Sequence, residues 1–206
     1  FQHRDVIDTF LPLETGFHNL AVVSSKQRFP RQARKTALGL LGAGQMMFLK
    51  VIIVVDEDHQ VKDLEKLLDA LNNKVNIPDD LVILEGMVAD SLAHTSPWEN
   101  IHDKLIIDAT TPSEGDPISR PEESSVSESL AISASAIEGV VQARMLRPSM
   151  MVVTTEVEGS PSPEESVEVT NNHLARLQRE KISAIRDSIW SLNASRRLKW
   201  LFITDS

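Results

Sequence analysis

The chain has no cysteine, few aromatic residues and fewer basic than acidic side chains. Without cysteine it has no disulfide scaffold, no thiolate metal site and no cysteine nucleophile, which fits a reducing compartment. Its 21 basic against 30 acidic residues give a formal charge of -9, the opposite of the basic face that binds nucleic acid. We therefore expect a solvated acidic surface and no nucleic-acid partner.

This sequence also shows no long apolar segment and no signal-peptide pattern at its start. No apolar run approaches the roughly 20 residues of a membrane helix, and the first ten residues, FQHRDVIDTF, lack the pattern of a signal peptide. The sequence predicts a cytoplasmic protein without a membrane span. Because it starts without methionine, we expect it to be a piece of a longer protein.

Short apolar runs alternate with helical patterns in the first half of the chain. This alternation, with strands that are apolar on both faces, predicts an α/β fold built on a largely parallel sheet with helices on both faces. The predicted strands are Leu20 to Ser24, Val51 to Val55, Val82 to Leu84 and Leu105 to Ile107, and the predicted helices lie near Gln32 to Leu41 and Val61 to Leu71.

The composition changes after residue 112, which divides the chain into three predicted parts. Residues 1–112 form the α/β domain, residues 113–129 are rich in Ser, Pro and acids and form a linker or surface loop, and residues 130–206 form a second, truncated α/β unit. Met151 to Thr155 and Lys199 to Thr204 are predicted to be adjacent parallel strands joined by a helix near Leu174 to Leu192. This order suggests a degenerate repeat of a strand-helix-strand unit, and two such units of independent origin are the alternative.

Three acids, Asp56, Glu57 and Asp58, directly follow the apolar run VIIVV. Ligands of open parallel sheets gather beyond the carboxyl ends of the strands, which places these acids on the edge where chemistry occurs. Acids at a strand end also cap the next helix and favour its positive end. Both interpretations are open from the sequence.

Recognised catalytic and nucleotide-binding motifs are missing from the chain. It has no GxGxxG after a strand, no P-loop, no GxSxG elbow and no HExxH, and its six histidines show no ligand spacing, so we expect no metal site within it. The segment Gly39 to Phe48, rich in Gly and Met, suits an exposed or paired surface of a homodimer, whereas Met46, Met47 and Phe48 equally suit the core under the sheet.

A succession of motifs from about Leu11 to Pro112 resembles the C-terminal domain of UbiD-family decarboxylases, most closely the menaquinone-biosynthesis type. The motifs are the run from HNLAVVSSKQRFPRQARKTALGLLGAGQMMFLKVIIVVDED through LVILEG and LAHTSP to DKLIIDAT. The resemblance implies a carboxy-lyase as the parent protein, acting on an aromatic acid that is a quinone precursor. It also implies prenylated FMN and a divalent metal, held by an N-terminal domain that is not visible in this sequence.

In such enzymes the C-terminal domain forms the subunit interface and closes the mouth of the active site. The resemblance therefore implies an assembly and lid portion that works in a homo-oligomer, has no catalytic residue of its own and binds neither cofactor nor metal alone. A non-catalytic assembly or regulatory protein that retains the fold is the alternative.

Candidate binding residues are carried over from the resemblance by position. Met87, Asp90 and Leu92 stand where the family has a loop that faces substrate. Gln45 and Lys50 lie in the segment that passes near the cofactor phosphate, although Gly44 and Gln45 occupy positions where some relatives have a basic residue. DKLIIDAT keeps Lys104 and Asp108, which we expect to form a structural pair.

Overall fold

The computed structural model describes residues 3–16, 19–77, 79–91, 98–116, 128–155, 180–192 and 198–205. The chain divides into two compact units, Phe1–Pro121 and Glu122–Ser206. Among the described residues, no helix is both long and apolar enough to cross a membrane.

The first unit is built on a five-stranded mixed sheet with the strand order β1-β2-β3-β5-β4. Strands β2, β3 and β5 are parallel to one another, while β1 and β4 pair antiparallel at the two edges. The strands are β1 (Val6–Phe10), β2 (Leu20–Ser25), β3 (Val51–Asp56), β4 (Leu81–Val88) and β5 (Ile101–Asp108), and the helices are α1 (Gln32–Leu41) and α2 (Leu64–Asn73), with 3-10 turns at Leu13–Thr15 and Gly44–Phe48.

Helix α1 packs on one face of this sheet because its apolar residues recur at helical spacing. Two of them, Ala33 and Ala37, are fully buried, and their small side chains allow a close approach to the strands. The cluster joins α1 to inward-facing residues of three parallel strands and to Leu49, two residues before β3: Ala21, Val23, Ala33, Ala37, Leu40, Leu41, Leu49, Ile52, Val54 and Ile106.

The second unit has a three-stranded sheet with the order β6-β7-β8. Strands β6 (Val140–Arg147) and β7 (Met150–Thr155) form an antiparallel hairpin, and β8 (Trp200–Asp205) runs parallel to β7. Helix α3 (Ser129–Ser135) precedes β6, and residues 180–191 form a further helix, α4. Leu130, Ala134, Met151, Val153, Ile185 and Ile189 are among the core residues.

The predicted largely parallel sheet with helices on both faces is wrong. Both sheets are mixed, because β4 and β5 pair antiparallel, as do β1 and β2 and the hairpin β6 and β7. The run LVILEG indicates a strand but not its direction, since a short apolar run fits an edge strand as well as a buried parallel one. As an edge strand, β4 leaves Ile83 64% exposed.

Several individual elements were predicted correctly. The four predicted strands of the first unit lie in one sheet, and helices cover Gln32–Leu41 and Leu64–Asn73. In the second unit β7 and β8 are adjacent and parallel, as predicted. The helix predicted for residues 174–192 is helical over 180–191, and residues 174–179 lie outside the described part of the chain.

Candidate site at the amino edge of the sheet

Two clusters of polar side chains lie at opposite edges of the five-stranded sheet. The amino edge is the N-terminal ends of β3 and β5 together with the residues that contact these ends. The carboxyl edge is the C-terminal ends of β2, β3 and β5 together with the residues that contact these ends. The amino edge contains the buried pair His102 and Lys104. The carboxyl edge contains Asp56 and Asp108.

Lys104 is the centre of the amino-edge cluster. Its side chain is essentially inaccessible, the whole residue being 1% exposed. The ammonium donates to the backbone carbonyls of Met47 at 2.7 Å, Leu49 at 2.8 Å and Val88 at 2.9 Å, and its Nζ lies 3.0 Å from Nε2 of His102. One cation therefore joins the segment before β3, the end of β4 and the start of β5.

In the described part of the chain, all four partners of Lys104 are neutral dipoles, so no opposite charge there offsets its burial. Burial lowers the pKa of Lys104 to about 8, because removal from water disfavours the charged form. Burial and then the positive charge of Lys104 lower the pKa of His102 to about 4, so this histidine is neutral at pH 7.

The contact between the two side chains fixes the histidine tautomer. A lysine ammonium only donates, so Nε2 of His102 accepts and the ring proton resides on Nδ1. This Nδ1 is buried and has no hydrogen-bond partner within the described residues. The cluster thus contains a weakly held proton on Lys104 and an unused donor on His102.

The sequence-predicted binding residues lie in the segments that Lys104 joins. Gln45 is exposed in the 3-10 turn, and Lys50 is half-buried just before β3, where burial lowers its pKa. Met87 pairs across the ladder with His102, and Asp90 follows two residues after Val88. Leu92 lies outside the described residues. The assignment of these residues to cofactor and substrate stays a prediction.

The methionine-rich segment has a mixed environment. Met46 is partly buried and packs against the core cluster under α1. Met47 and Phe48 are half-buried. The core interpretation therefore holds for Met46, while a role of Gly39 to Phe48 in a homodimer stays a prediction.

The predicted Lys104 and Asp108 pair is wrong. The two residues are four positions apart on one strand, a separation of about 13 Å, which is too far for contact. Lys104 uses its donors on the carbonyls and His102, whereas Oδ1 of Asp108 accepts from the amide and the hydroxyl of Thr110, at 3.1 and 2.6 Å.

At the carboxyl edge Asp56 ties three elements together. Its carboxylate accepts from Nζ of Lys74 at 2.5 Å and from the amide and hydroxyl of Thr111. Burial raises the pKa of Asp56, but these hydrogen bonds outweigh it and lower the pKa overall. The capping interpretation is wrong for this residue, because Asp63 caps α2 by accepting from the amide of Lys66.

Arg31 forms a second charged cluster at this edge. It has a left-handed backbone, with φ of 63°, where the chain enters α1. Its guanidinium contacts Asp80 at 2.5 Å and Asp116 at 3.2 Å. The side chain of Asp80 is fully buried and also accepts from the amide of Asn76. The single cation of this cluster therefore contacts two carboxylates of opposite charge.

Two of the grooves lined by described residues contain no sequence-predicted binding residue. One, of about 310 Å³, lies beside α2 and includes His59, whose Nε2 is buried without a partner and whose pKa is lowered mainly by burial. The other, of about 480 Å³, lies in the second unit against α4 and includes Gly139 and Lys181. Within the described ranges, no three His, Asp or Glu side chains are grouped closely enough to hold a metal.

The contact between His102 and Lys104 was not predicted from the sequence, although the alternation of residues along β5 indicates that both side chains lie on one face. Residues two apart on a strand share a face, so His102, Lys104 and Ile106 point to the same side. Ile106 is fully buried, and its neighbours on that face are therefore buried too. A lysine at such a position requires carbonyl or carboxylate partners.

Comparisons with known proteins agree on the first unit. The family model of the 3-octaprenyl-4-hydroxybenzoate carboxy-lyase (UbiD) C-terminal domain matches residues 2–109. A protein of Archaeoglobus fulgidus is 40% identical over 108 residues, which are 52% of this chain and 22% of the relative. One of Aquifex aeolicus is 41% identical over 111 residues, which are 54% of this chain and 23% of the relative. The chain thus spans under a quarter of the length of these relatives.

Solved structures with a similar fold include a vanillic acid decarboxylase and a UbiD-class enzyme. The closed form of the vanillic acid decarboxylase of Sedimentibacter hydroxybenzoicus has a TM-score of 0.53 at 23% identity, covering 85% of this chain and 29% of that one. The FMN complex of the UbiD-class enzyme HmfF of Pelotomaculum thermopropionicum has a TM-score of 0.50 at 21% identity, covering 59% and 27%. At these identities the similarity establishes the fold alone.

Proposed function

Since the chain belongs to the UbiD family through its C-terminal domain, we propose that it is the assembly and lid portion of a prenylated-flavin-dependent decarboxylase. The parent protein is a carboxy-lyase that acts on an aromatic acid, a quinone precursor of the menaquinone pathway. Residues 1–112 supply the lid domain, residues 113–129 a linker, and residues 130–206 the second unit. The match of the family model over residues 2–109 is the observation that carries this proposal.

The geometry of the amino edge supports the assignment of binding segments. The family resemblance relates the segment of Gln45 and Lys50 to the cofactor phosphate and the segment of Met87 and Asp90 to the substrate. These two segments are far apart in sequence, yet Lys104 bonds to carbonyls in both. Residues that close one active site need such a fixed mutual position.

The described residues do not by themselves make up a flavin site. Gln45 and Lys50 offer one amide and one cation, enough for a phosphate contact but not for an isoalloxazine ring. We therefore assign flavin and divalent metal to the N-terminal domain, with which this chain works in a cytoplasmic homo-oligomer. When bound there, prenylated flavin supplies the electron sink for decarboxylation, and this chain contributes closure and exclusion of water.

The chain alone is expected to be inactive. Purified and supplied with prenylated flavin, Mn²⁺ and a panel of aromatic acids, it should neither retain flavin through gel filtration nor release carbon dioxide. The reason is that the reaction needs a preorganised acid beside the reacting carbon, in a closed pocket. Measurable decarboxylation by this chain would contradict the assignment.

A chimera tests the lid function directly. In the Archaeoglobus fulgidus relative, the 108 matched residues are replaced by those of this chain, and the relative with its own segment is the control. We expect both the control and the chimera to retain flavin and to release carbon dioxide from an aromatic acid, and the chimera to assemble like the control. A folded, assembled chimera that loses flavin and turnover, where the control has both, would instead favour a non-catalytic assembly or regulatory protein.

A further inference from the structure

The buried ammonium of Lys104 holds two backbone segments in place. Three of its contacts are backbone carbonyls from two segments that α2 separates in sequence, those of Met47 and Leu49 before β3 and that of Val88 at the end of β4. Because the fixed groups are carbonyls, the bonds position main chain rather than side chains. Loss of the ammonium would remove this donor from the buried carbonyl contact of Leu49 and from the partly buried ones of Met47 and Val88.

We propose that Lys104 is a positioning residue that clamps residues 44–50 and 87–90 against β5, and that removal of one proton from its ammonium loosens the clamp. An ammonium has three donor hydrogens, which the three carbonyls and Nε2 of His102 share. A neutral amine has two donors and a lone pair. One carbonyl then loses its donor, and the lone pair needs a donor in return.

His102 is placed to supply that donor. Its Nε2 lies 3.0 Å from Nζ of Lys104, and its Nδ1 proton has no partner among the described residues. When the pair loses one proton, the ring proton leaves Nδ1 of His102 and one proton of Lys104 passes to Nε2. The resulting Nε2–H then donates to the lone pair of the neutral amine. The balance is one proton released to solvent, with no other reactant required.

The charged surroundings of the clamp are sparse. On β5, Asp103 faces away from Lys104 and accepts from the amide of Gly86 at 2.9 Å. The residue before β3 is Lys50, and β4 contributes Glu85 and, beyond its end, Asp90. The 3-10 segment GQMMF has no titratable side chain. Among the described residues no carboxylate contacts Nζ of Lys104, so burial lowers its pKa to about 8 without an opposing charge.

The consequence for function rests on the proposed function of the chain. The clamped segments contain Gln45 and Lys50 on one side and Met87 and Asp90 on the other, the residues assigned to cofactor and substrate. A clamp that holds at pH 7 and loosens above pH 8 makes closure of the lid dependent on the protonation of Lys104.

The methionines of the chain provide a direct test. Met46, Met47 and Met87 lie in or beside the clamped segments, whereas Met145, Met150 and Met151 belong to the second unit and serve as internal references. We would label the Met methyl groups with ¹³C and record their NMR shifts from pH 6.5 to 10 on the wild-type chain. The chain has neither Tyr nor Cys, so lysines and the terminal amine are the groups that ordinarily titrate from pH 8 to 10.

We expect the signals of Met47 and Met87 to move with a midpoint near pH 8 while the three reference signals do not. Lys104→Leu should abolish this transition, and Lys74→Leu, which removes a hydrogen-bonded lysine from the carboxyl edge, should retain it. The ¹³Cε shift of Lys104 gives its protonation directly and needs no variant, so the test stands even if Lys104→Leu fails to fold.

Two outcomes would overturn the proposal. One is a Lys104 ammonium that keeps its proton to pH 10 with unmoved Met47 and Met87 signals, the behaviour of a purely structural lysine. The other is a transition shared by site and reference methionines, which would indicate a global change. Neither measurement uses flavin or substrate, so failure here is separate from failure of the chimera.

Discussion

The two edges of the five-stranded sheet bury charge in opposite ways. At the carboxyl edge Asp56 and Arg31 contact partners of opposite charge, Lys74 for the first and Asp80 with Asp116 for the second. At the amino edge Lys104 is buried more deeply, yet its partners are three carbonyls and a neutral histidine. The same sheet thus has one edge of matched charges and one edge with an unmatched cation.

The two edges therefore differ in how readily their ionisable side chains gain or lose a proton. Hydrogen bonds from Lys74 and Thr111 lower the pKa of Asp56 despite its burial, so this carboxylate stays ionised at neutral pH. At the amino edge the pKa of Lys104 is lowered towards neutrality and that of His102 away from it. We therefore expect the carboxyl edge to act as a fixed tie and the amino edge to respond to alkaline pH.

Removal of Asp80 should have the largest effect. Its fully buried carboxylate pairs with Arg31 and accepts from the amide of Asn76, so Asp80→Ala removes the nearer of the two carboxylates that Arg31 contacts and an acceptor of this amide. We expect a loss of about 3–5 kcal/mol in the free energy of unfolding. Urea unfolding of the first unit, followed by the signals of Met46, Met47 and Met87, measures it.

The neighbouring Asp79 supplies the matched control. It is exposed, and its backbone carbonyl, which accepts from Arg34, is retained in Asp79→Ala. This variant should cost less than about 1 kcal/mol. Equal losses for the two variants would show that matched charge does not stabilise the carboxyl edge.

The second prediction concerns stability at alkaline pH. The pKa of Lys104 is about 8 in the folded chain and near 10.5 unfolded, so between these values the unfolded chain binds the additional proton. Stability therefore rises with pH in this window. Relative to Lys104→Leu, the wild type should gain about 2–3 kcal/mol from pH 7 to pH 10, measured by the same urea unfolding. A constant difference between the two proteins would contradict the low pKa.

His102 should produce the corresponding effect on the acid side. Its pKa is about 4 when folded against 6.5 unfolded, so the unfolded chain takes up the proton first as the pH falls. Stability is lost between pH 6.5 and 4. His102→Gln keeps an acceptor for Lys104 but does not titrate, so from pH 7 to pH 5 it should lose about 2 kcal/mol less than the wild type. Parallel losses in both proteins would assign the acid sensitivity to the carboxylates.

The features of the fold that could be predicted are those that depend on local residue patterns. Apolar runs located β2, β3, β4 and β5, and helical spacing located α1 and α2. Strand direction was not predictable in the same way, because an edge strand such as β4 pairs through its backbone, which every sequence shares. The antiparallel partners therefore required the three-dimensional structure.

The site was predictable only in part for a related reason. The family resemblance selected the segments of Gln45 and Met87, which do approach each other. The side chain of Lys104 joins the two segments by bonding to their backbone carbonyls. Because every residue has a backbone carbonyl, the sequence does not indicate which carbonyls Lys104 contacts. The expected pair of Lys104 with Asp108 followed from opposite charges in one motif, whereas strand geometry keeps the two apart.

The smallest effect should come from the exposed ion pair at the carboxyl edge, Lys26 with Glu57. Their charged atoms are 3.6 Å apart, and the side chains are 48% and 51% exposed, so water already solvates both. Lys26→Gln should change the free energy of unfolding by less than about 0.5 kcal/mol, and 0.5 M NaCl should remove that difference. Urea unfolding at low and high salt measures both values. If Lys26→Gln lowered the free energy of unfolding as much as Asp80→Ala, opposite charge would stabilise this edge whether or not the pair is buried. A negligible cost beside a large one for Asp80 shows that burial gives the charge pair its strength.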